Sequence, residues 1–93
     1  MLRGEEPHRI LTMVIHDAEE TVDRAVVGKN SVIAGKSLKE AKIADETGWW
    51  VLVIRRGNRW IRPKPLTVLY PGDTIIASGY SEGEEDFKQL VEG

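Results

Sequence analysis

The chain has no cysteine among its 93 residues, which excludes both a disulfide framework and a thiolate zinc site. That absence fits a reducing, cytoplasmic setting. No stretch approaches the roughly 18 uninterrupted apolar residues of a membrane span. The apolar positions Ile10, Leu11, Val14 and Ile15 are broken by Thr12 and followed by His16 and Asp17, unlike the apolar core of a secretory signal. No charge dominates either. Lys and Arg number 13 and Asp and Glu 15, for a formal net charge of -2, so the basic footprint of a nucleic-acid binder is missing. There is no internal repeat and no low-complexity segment. What is there is 41% hydrophobic and 30% charged, the composition of one small domain with a modest core.

The pattern along the chain predicts an α+β fold. Pro7 suits the first turn of a helix, and Ile10, Leu11, Val14, Ile15 and Ala18 keep one helical face to about residue 20. Residues 1–21 therefore read as an N-terminal helix or linker, such as the tail of an upstream domain, and residues 22–93 as the domain proper. Val22 to Gly28 reads as a strand. Ser37 and Glu40 form a capping-box pair for a short helix that Thr47-Gly48 closes. Trp49 to Arg56 is the strongest strand, and Gly57-Asn58 turns it into a hairpin with Arg59 to Arg62. Pro63 and Pro65 confine the next stretch to an edge or an irregular crossing, and Thr67 to Leu69 resumes extended structure. Pro71-Gly72-Asp73 is a turn before the last strand, Thr74 to Gly79. Ser81, with Glu84 three residues on, is expected to cap a final helix whose buried stripe is Phe87, Leu90 and Val91. The result is a small, mostly antiparallel sheet with helices.

Strict alternation along the strongest strand puts Trp49, Val51 and Val53 on one face and Trp50, Leu52 and Ile54 on the other. Both faces are apolar, so both need cover. The helices can take one. A second copy of the chain is expected on the other, which makes a homodimer the expected state. The interface and ligand candidates are accordingly Trp49, Trp50, Leu52, Ile54, Arg55 and Arg56.

Other motifs point to structure before chemistry. Gly35-Lys36-Ser37 resembles the end of a phosphate-binding loop, but the required earlier glycine position holds Asn30. Arg55, Arg56, Arg59, Arg62 and Lys64 cluster around the hairpin with Trp49, Trp50 and Trp60 between them. That mixture suits an anionic small molecule better than a nucleic-acid polymer, and no nucleic-acid partner is expected. His8 and His16 lie eight apart, not the three or four of a helical metal pair. The acidic run Glu82, Glu84, Glu85 and Asp86 suits the start of a helix. Asp73 with Thr74 reads as turn chemistry. No nucleophile has a recognisable base, so neither catalytic nor metal residues are assigned.

Four segments in order resemble the TrkA C-terminal, or RCK C-terminal, domain family. They are Asn30 to Leu38, with its Gly-Lys-Ser-Leu ending; Val51 to Gly57, a hydrophobic strand ending Arg55-Arg56-Gly57; Ile61 to Leu69, with Pro63, Thr67 and Leu69 in register; and Pro71 to Gly79, built on Gly72-Asp73 and closed by Gly79. The resemblance implies a non-enzymatic, dimerising regulatory domain of a potassium or other cation transport system. Such a domain would lie in the cytoplasm, peripheral to the membrane through a channel or transporter partner, with a small ligand at its two-fold interface. The alternative is a purely structural dimerisation module. Some members bind cyclic di-AMP through an aspartate, an arginine two residues later and an asparagine six beyond that. Lys42, Ala44 and Trp50 stand at those positions, so the resemblance argues against cyclic di-AMP and leaves the ligand unassigned.

Overall fold

The computed structural model describes residues 20–93. The N-terminal helix expected before them lies outside the described residues. The first strand, β1, is Glu20–Val26. Two short helices follow, α1 (Leu38–Ala41) and α2 (Ile43–Thr47). Then come β2 (Trp50–Arg56), β3 (Arg59–Ile61), β4 (Thr74–Tyr80), a single 3-10 turn (Ser81–Gly83) and α3 (Glu84–Glu92). The strands form one antiparallel sheet in the order β1-β4-β2-β3. This is the expected α+β layout.

The local signals act as their chemistry requires. Ser37 Oγ accepts the Glu40 N–H at 3.2 Å, while Glu40 Oε1 accepts the Ser37 N–H at 3.0 Å, completing the capping box. Gly48 ends α2 with φ 77, a left-handed conformation that costs glycine little. The stretch Thr67 to Leu69 does not join the sheet. Leu69 instead exchanges hydrogen bonds with the loop at Gly35 and Lys36, at 2.7 and 2.8 Å.

Ser81 does not cap the final helix. It opens the 3-10 turn, and α3 starts from Gly83 without a side-chain cap. The reason is close packing. A Cβ on Gly83 would sit 2.5 Å from the Thr47 carbonyl oxygen and 3.1 Å from the Trp49 ring. The chain must pass this point bare, and Glu84 turns to Asp23 and Lys88 instead. Hydrogen bonding with Glu84, the Arg24 N–H and Lys88 holds the Asp23 carboxyl down at about 2, and the same contact with Asp23 raises Glu84.

Strict alternation also fails along β2. A β-bulge between Val51 and Val53 slips the register, so that Val51 faces Ala77 but Val53 faces Ile76. Trp49, Val51 and Ile54 therefore all point to the helical side, and Trp50, Val53 and Arg55 to the other. Ile54 is fully buried beside Ile75 and Leu69, not exposed with Trp50 and Leu52. The bulge lets a strand with apolar residues at odd and even positions deliver Trp49 and Ile54 to the same core.

Trp49 is the centre of that core. Its ring stacks on Phe87 of α3 with centroids 5.0 Å apart, and its indole N–H donates to the Tyr80 carbonyl at 2.9 Å. Gly79 lies directly beneath it, where an added Cβ would meet the ring at 2.5 Å. The variant Gly79→Ala should therefore lose about 1–3 kcal/mol of stability through overpacking, read from urea unfolding followed by tryptophan fluorescence. An unchanged midpoint would contradict this packing.

Candidate functional site

A groove of about 650 Å³ runs between the α1–α2 junction, the start of β2 and the Pro63-Lys64-Pro65 segment. Its floor is apolar, from Leu38, Ile43, Val51 and the two prolines. Its rim carries Lys39, Lys42 and Lys64 against one carboxylate, Asp45, and the indole of Trp50 stands at one end. Among the described residues, no carboxylate lies within ion-pair distance of the three ammonium groups. An apolar floor with a cationic rim suits a small anion that also has a flat apolar part.

The backbone at Lys42 builds this geometry. It adopts φ 52 and ψ 43, closing α1 and opening α2 within one residue. Its N–H donates to the Leu38 carbonyl at 3.2 Å, and its own carbonyl accepts the Glu46 N–H at 2.9 Å. Among the described residues, it is the one position other than glycine with positive φ. Left-handed backbone costs a residue with a Cβ roughly 1–2 kcal/mol. The opposite wall is held by the Leu38 and Lys39 N–H groups, which donate to the Thr67 and Pro65 carbonyls, each at 2.9 Å.

The tertiary structure gathers Lys42, Ala44 and Trp50 around this one groove, the three positions to which the family resemblance assigned ligand contacts. Lys39 was not singled out by the sequence reading. Its three-residue spacing from Lys42 on a short helix was the available signal. Lys64 was read only as part of the basic hairpin cluster.

The six interface candidates separate into four groups. Trp49 and Ile54 are core residues, fully buried. Trp50 (67% exposed) and Leu52 (49%) are surface residues, and Trp50 lines the groove. Arg55 lies on the outer sheet face, its guanidinium 5.3 Å from the centroid of the Trp60 ring and its Nε donating to the Gly57 carbonyl at 3.1 Å.

Arg56 has a structural partner that was missed. Its Nε and Nη2 donate to the two oxygens of Asp73 at 2.8 and 2.7 Å, and Nη2 also donates to the Val68 carbonyl at 2.9 Å. The guanidinium lies 4.7 Å from the Tyr70 ring centroid, and the Tyr70 N–H donates to Asp73 at 2.9 Å. Asp73 is thus more than a turn residue. Burial pushes its carboxyl up, but the hydrogen bonds from Arg56 and the Tyr70 N–H outweigh burial and hold it below its ordinary value. Asp73 lies 17 residues from Arg56, and no local pattern links them.

A four-stranded antiparallel sheet with helices packed on one face, and a cationic groove at the α1–α2 junction, defines a small α+β domain of the RCK C-terminal class. The chain belongs to the TrkA-C domain family, which matches residues 24–92. It is 36% identical over 85 residues to potassium channel protein 1 of Methanocaldococcus jannaschii, an alignment covering 90% of this chain but only 25% of that protein. The chain thus spans about a quarter of that relative's length. Among solved structures, the RCK_C domain dimer of S. agalactiae BusR in complex with c-di-AMP is similar, with 25% identity and a TM-score of 0.69 over 75% of this chain and 93% of that one. The GsuK channel bound to NAD is similar at 27% identity and a TM-score of 0.68, covering 94% of this chain and 16% of that one.

Two outcomes follow from the geometry. Lys42→Gly relieves left-handed strain while removing a groove ammonium, so it should raise stability by about 0.5–1 kcal/mol in urea unfolding; a loss of stability would contradict the strain. Asp73→Asn should cost about 2 kcal/mol by breaking charged hydrogen bonds. Because the folded Asp73 value is depressed, the wild-type contribution is complete above the unfolded value of 3.8 and is lost as pH falls through the folded one. The difference between wild type and Asp73→Asn should therefore shrink in acid, measured as unfolding midpoints at pH 7 and pH 3.

Proposed function

We propose that this chain is a regulatory module of a potassium or other cation transport system. It works in the cytoplasm, beside a membrane channel or transporter, and pairs with a second copy about a two-fold axis. It takes a small phosphorylated ligand in the groove. The observation that carries this reading is the convergence of Lys39, Lys42 and Lys64 on the groove that also gathers Ala44 and Trp50, which with Lys42 hold the positions where family resemblance assigns ligand contacts. The similarity to a potassium channel protein supports the transport role. The similarity to the BusR domain dimer, solved with c-di-AMP, supports both pairing and a phosphate-bearing ligand.

The residues favour a different ligand from cyclic di-AMP. Lysines supply charge without the directional pattern of a paired aspartate and arginine. Trp50 offers a face for stacking in place of an amide that would read a base edge. The groove therefore selects by charge and a planar group, as for a mononucleotide or a similar phosphate ester. Trp50, at the groove, and Leu52, both exposed, are the contacts to the second copy. A ligand that touches both copies biases the pair through its different affinity for two arrangements of them.

Thermal unfolding with mononucleotides, cyclic dinucleotides and inorganic phosphate tests this. At a hundredfold excess over Kd, a groove ligand should add about 2.7 kcal/mol and raise Tm, and Lys42→Gln with Lys64→Gln should abolish the rise. If no anionic probe moves Tm while the mass in solution stays that of a dimer, the domain is a structural pairing module and the ligand reading fails.

A further inference from the structure

The groove makes no use of Arg55 and Trp60 in the hairpin. The strand register gives them a distant companion. On β4, Ile76 is opposite Arg24 and Thr74 is opposite Val26. Thr74 is also opposite Arg55, and Arg55 is opposite Trp60. Directly opposed residues project from the same side of a sheet, so all of these share the face turned away from the helices. Ile75, between Thr74 and Ile76, is fully buried on the other side. The fold thus sets two guanidiniums, 31 positions apart in the chain (55 − 24), on either side of β4.

Arg24 and Arg55 line a cavity of about 600 Å³ that shares no residue with the groove. Val26 and Ile76 supply apolar lining and Thr74 a hydroxyl, while Glu92 is its one carboxylate. Among the described residues, no carboxylate lies within ion-pair distance of either guanidinium. Arg55 is held in place before anything binds. Its Nε donates to the Gly57 carbonyl at 3.1 Å, and its guanidinium lies 5.3 Å from the Trp60 ring centroid. Those contacts fix the plane of the fork and leave its two Nη groups for a further acceptor. A guanidinium fixed in this way loses less freedom on binding, and its fork matches the oxygens of a phosphoryl group. Arg24 stands two strand spacings away, about 10 Å across the sheet and about 7 Å along it at the Cα atoms. Two forks set apart suit two linked phosphoryl groups better than one carboxylate.

We propose that this cavity is a second anion site, for a small molecule bearing a diphosphate. Arg55 is the preset fork, Arg24 the second, and Thr74 a hydroxyl donor between them. The Trp60 ring holds Arg55 in position, so the site reads linked phosphoryl groups by charge and spacing. It does not depend on the ligand reading of the groove.

Isothermal titration of the full chain with inorganic pyrophosphate tests this. Lys42→Gln and Lys64→Gln are carried throughout, which keeps the groove out of the measurement. Pyrophosphate should bind and inorganic phosphate should bind more weakly. Arg24→Gln and Arg55→Gln, on different strands and both at exposed positions, should each weaken pyrophosphate by about tenfold or more. Arg55→Lys, which keeps the charge but loses the fork, should also weaken it. Arg59→Gln removes the same charge from the hairpin outside the cavity and should leave affinity nearly unchanged. Absence of pyrophosphate binding overturns the proposal, as does undiminished affinity in Arg24→Gln or Arg55→Gln. An equal loss in Arg59→Gln overturns it in favour of diffuse attraction to the hairpin. Phosphate binding as tightly as pyrophosphate overturns the assignment to a diphosphate.

Discussion

The packing of Trp49 is the constraint on which the rest of the fold depends. One side chain ties three elements together: it stacks on Phe87 of α3, bonds the Tyr80 carbonyl at the end of β4, and fills the space left by Gly79 and Gly83. The loss of a conventional cap on α3 follows from the same packing. So does the bulge in β2, which restores Ile54 to the core after Trp49 and Val51 have entered it. Fully burying an aromatic of this size contributes a few kcal/mol, a large share of the stability available to a domain this small.

The groove depends on that core only at one remove. Trp49 and Trp50 are neighbours in the chain, and anchoring the first in the core projects the second outward at the groove's end. The left-handed turn at Lys42 sets the other wall. Strained backbone is tolerated where surrounding contacts over-determine it, and such positions gather at sites that bind. The domain thus separates its tasks. Trp49 and the Arg56–Asp73 network hold the sheet, while Lys39, Lys42, Lys64 and Trp50 remain exposed around the groove.

Much of the fold was legible in the sequence because its signals are local. The Ser37–Glu40 capping box, the Gly57-Asn58 turn and the Pro71-Gly72-Asp73 turn each arise from a few adjacent residues whose chemistry has one good solution. The family membership was legible as well, through four ordered segments. What strict periodicity could not supply was the slip at Leu52. A bulge costs little locally and is chosen by what lies on either side of the sheet. Reading period two through it placed Ile54 on the wrong face.

The sequence by itself determined the element types, the hairpin, the order of the strands' turns and the absence of the cyclic di-AMP pattern at Lys42, Ala44 and Trp50. Those are properties of residue identity and short spacing. The tertiary structure alone decided that Arg56 belongs to Asp73, that Gly83 displaces Ser81 as the start of the last helix, and that three lysines meet at one groove. Each of these joins groups far apart in sequence or sets one packing demand against another, and only the folded sheet and its core bring them into competition.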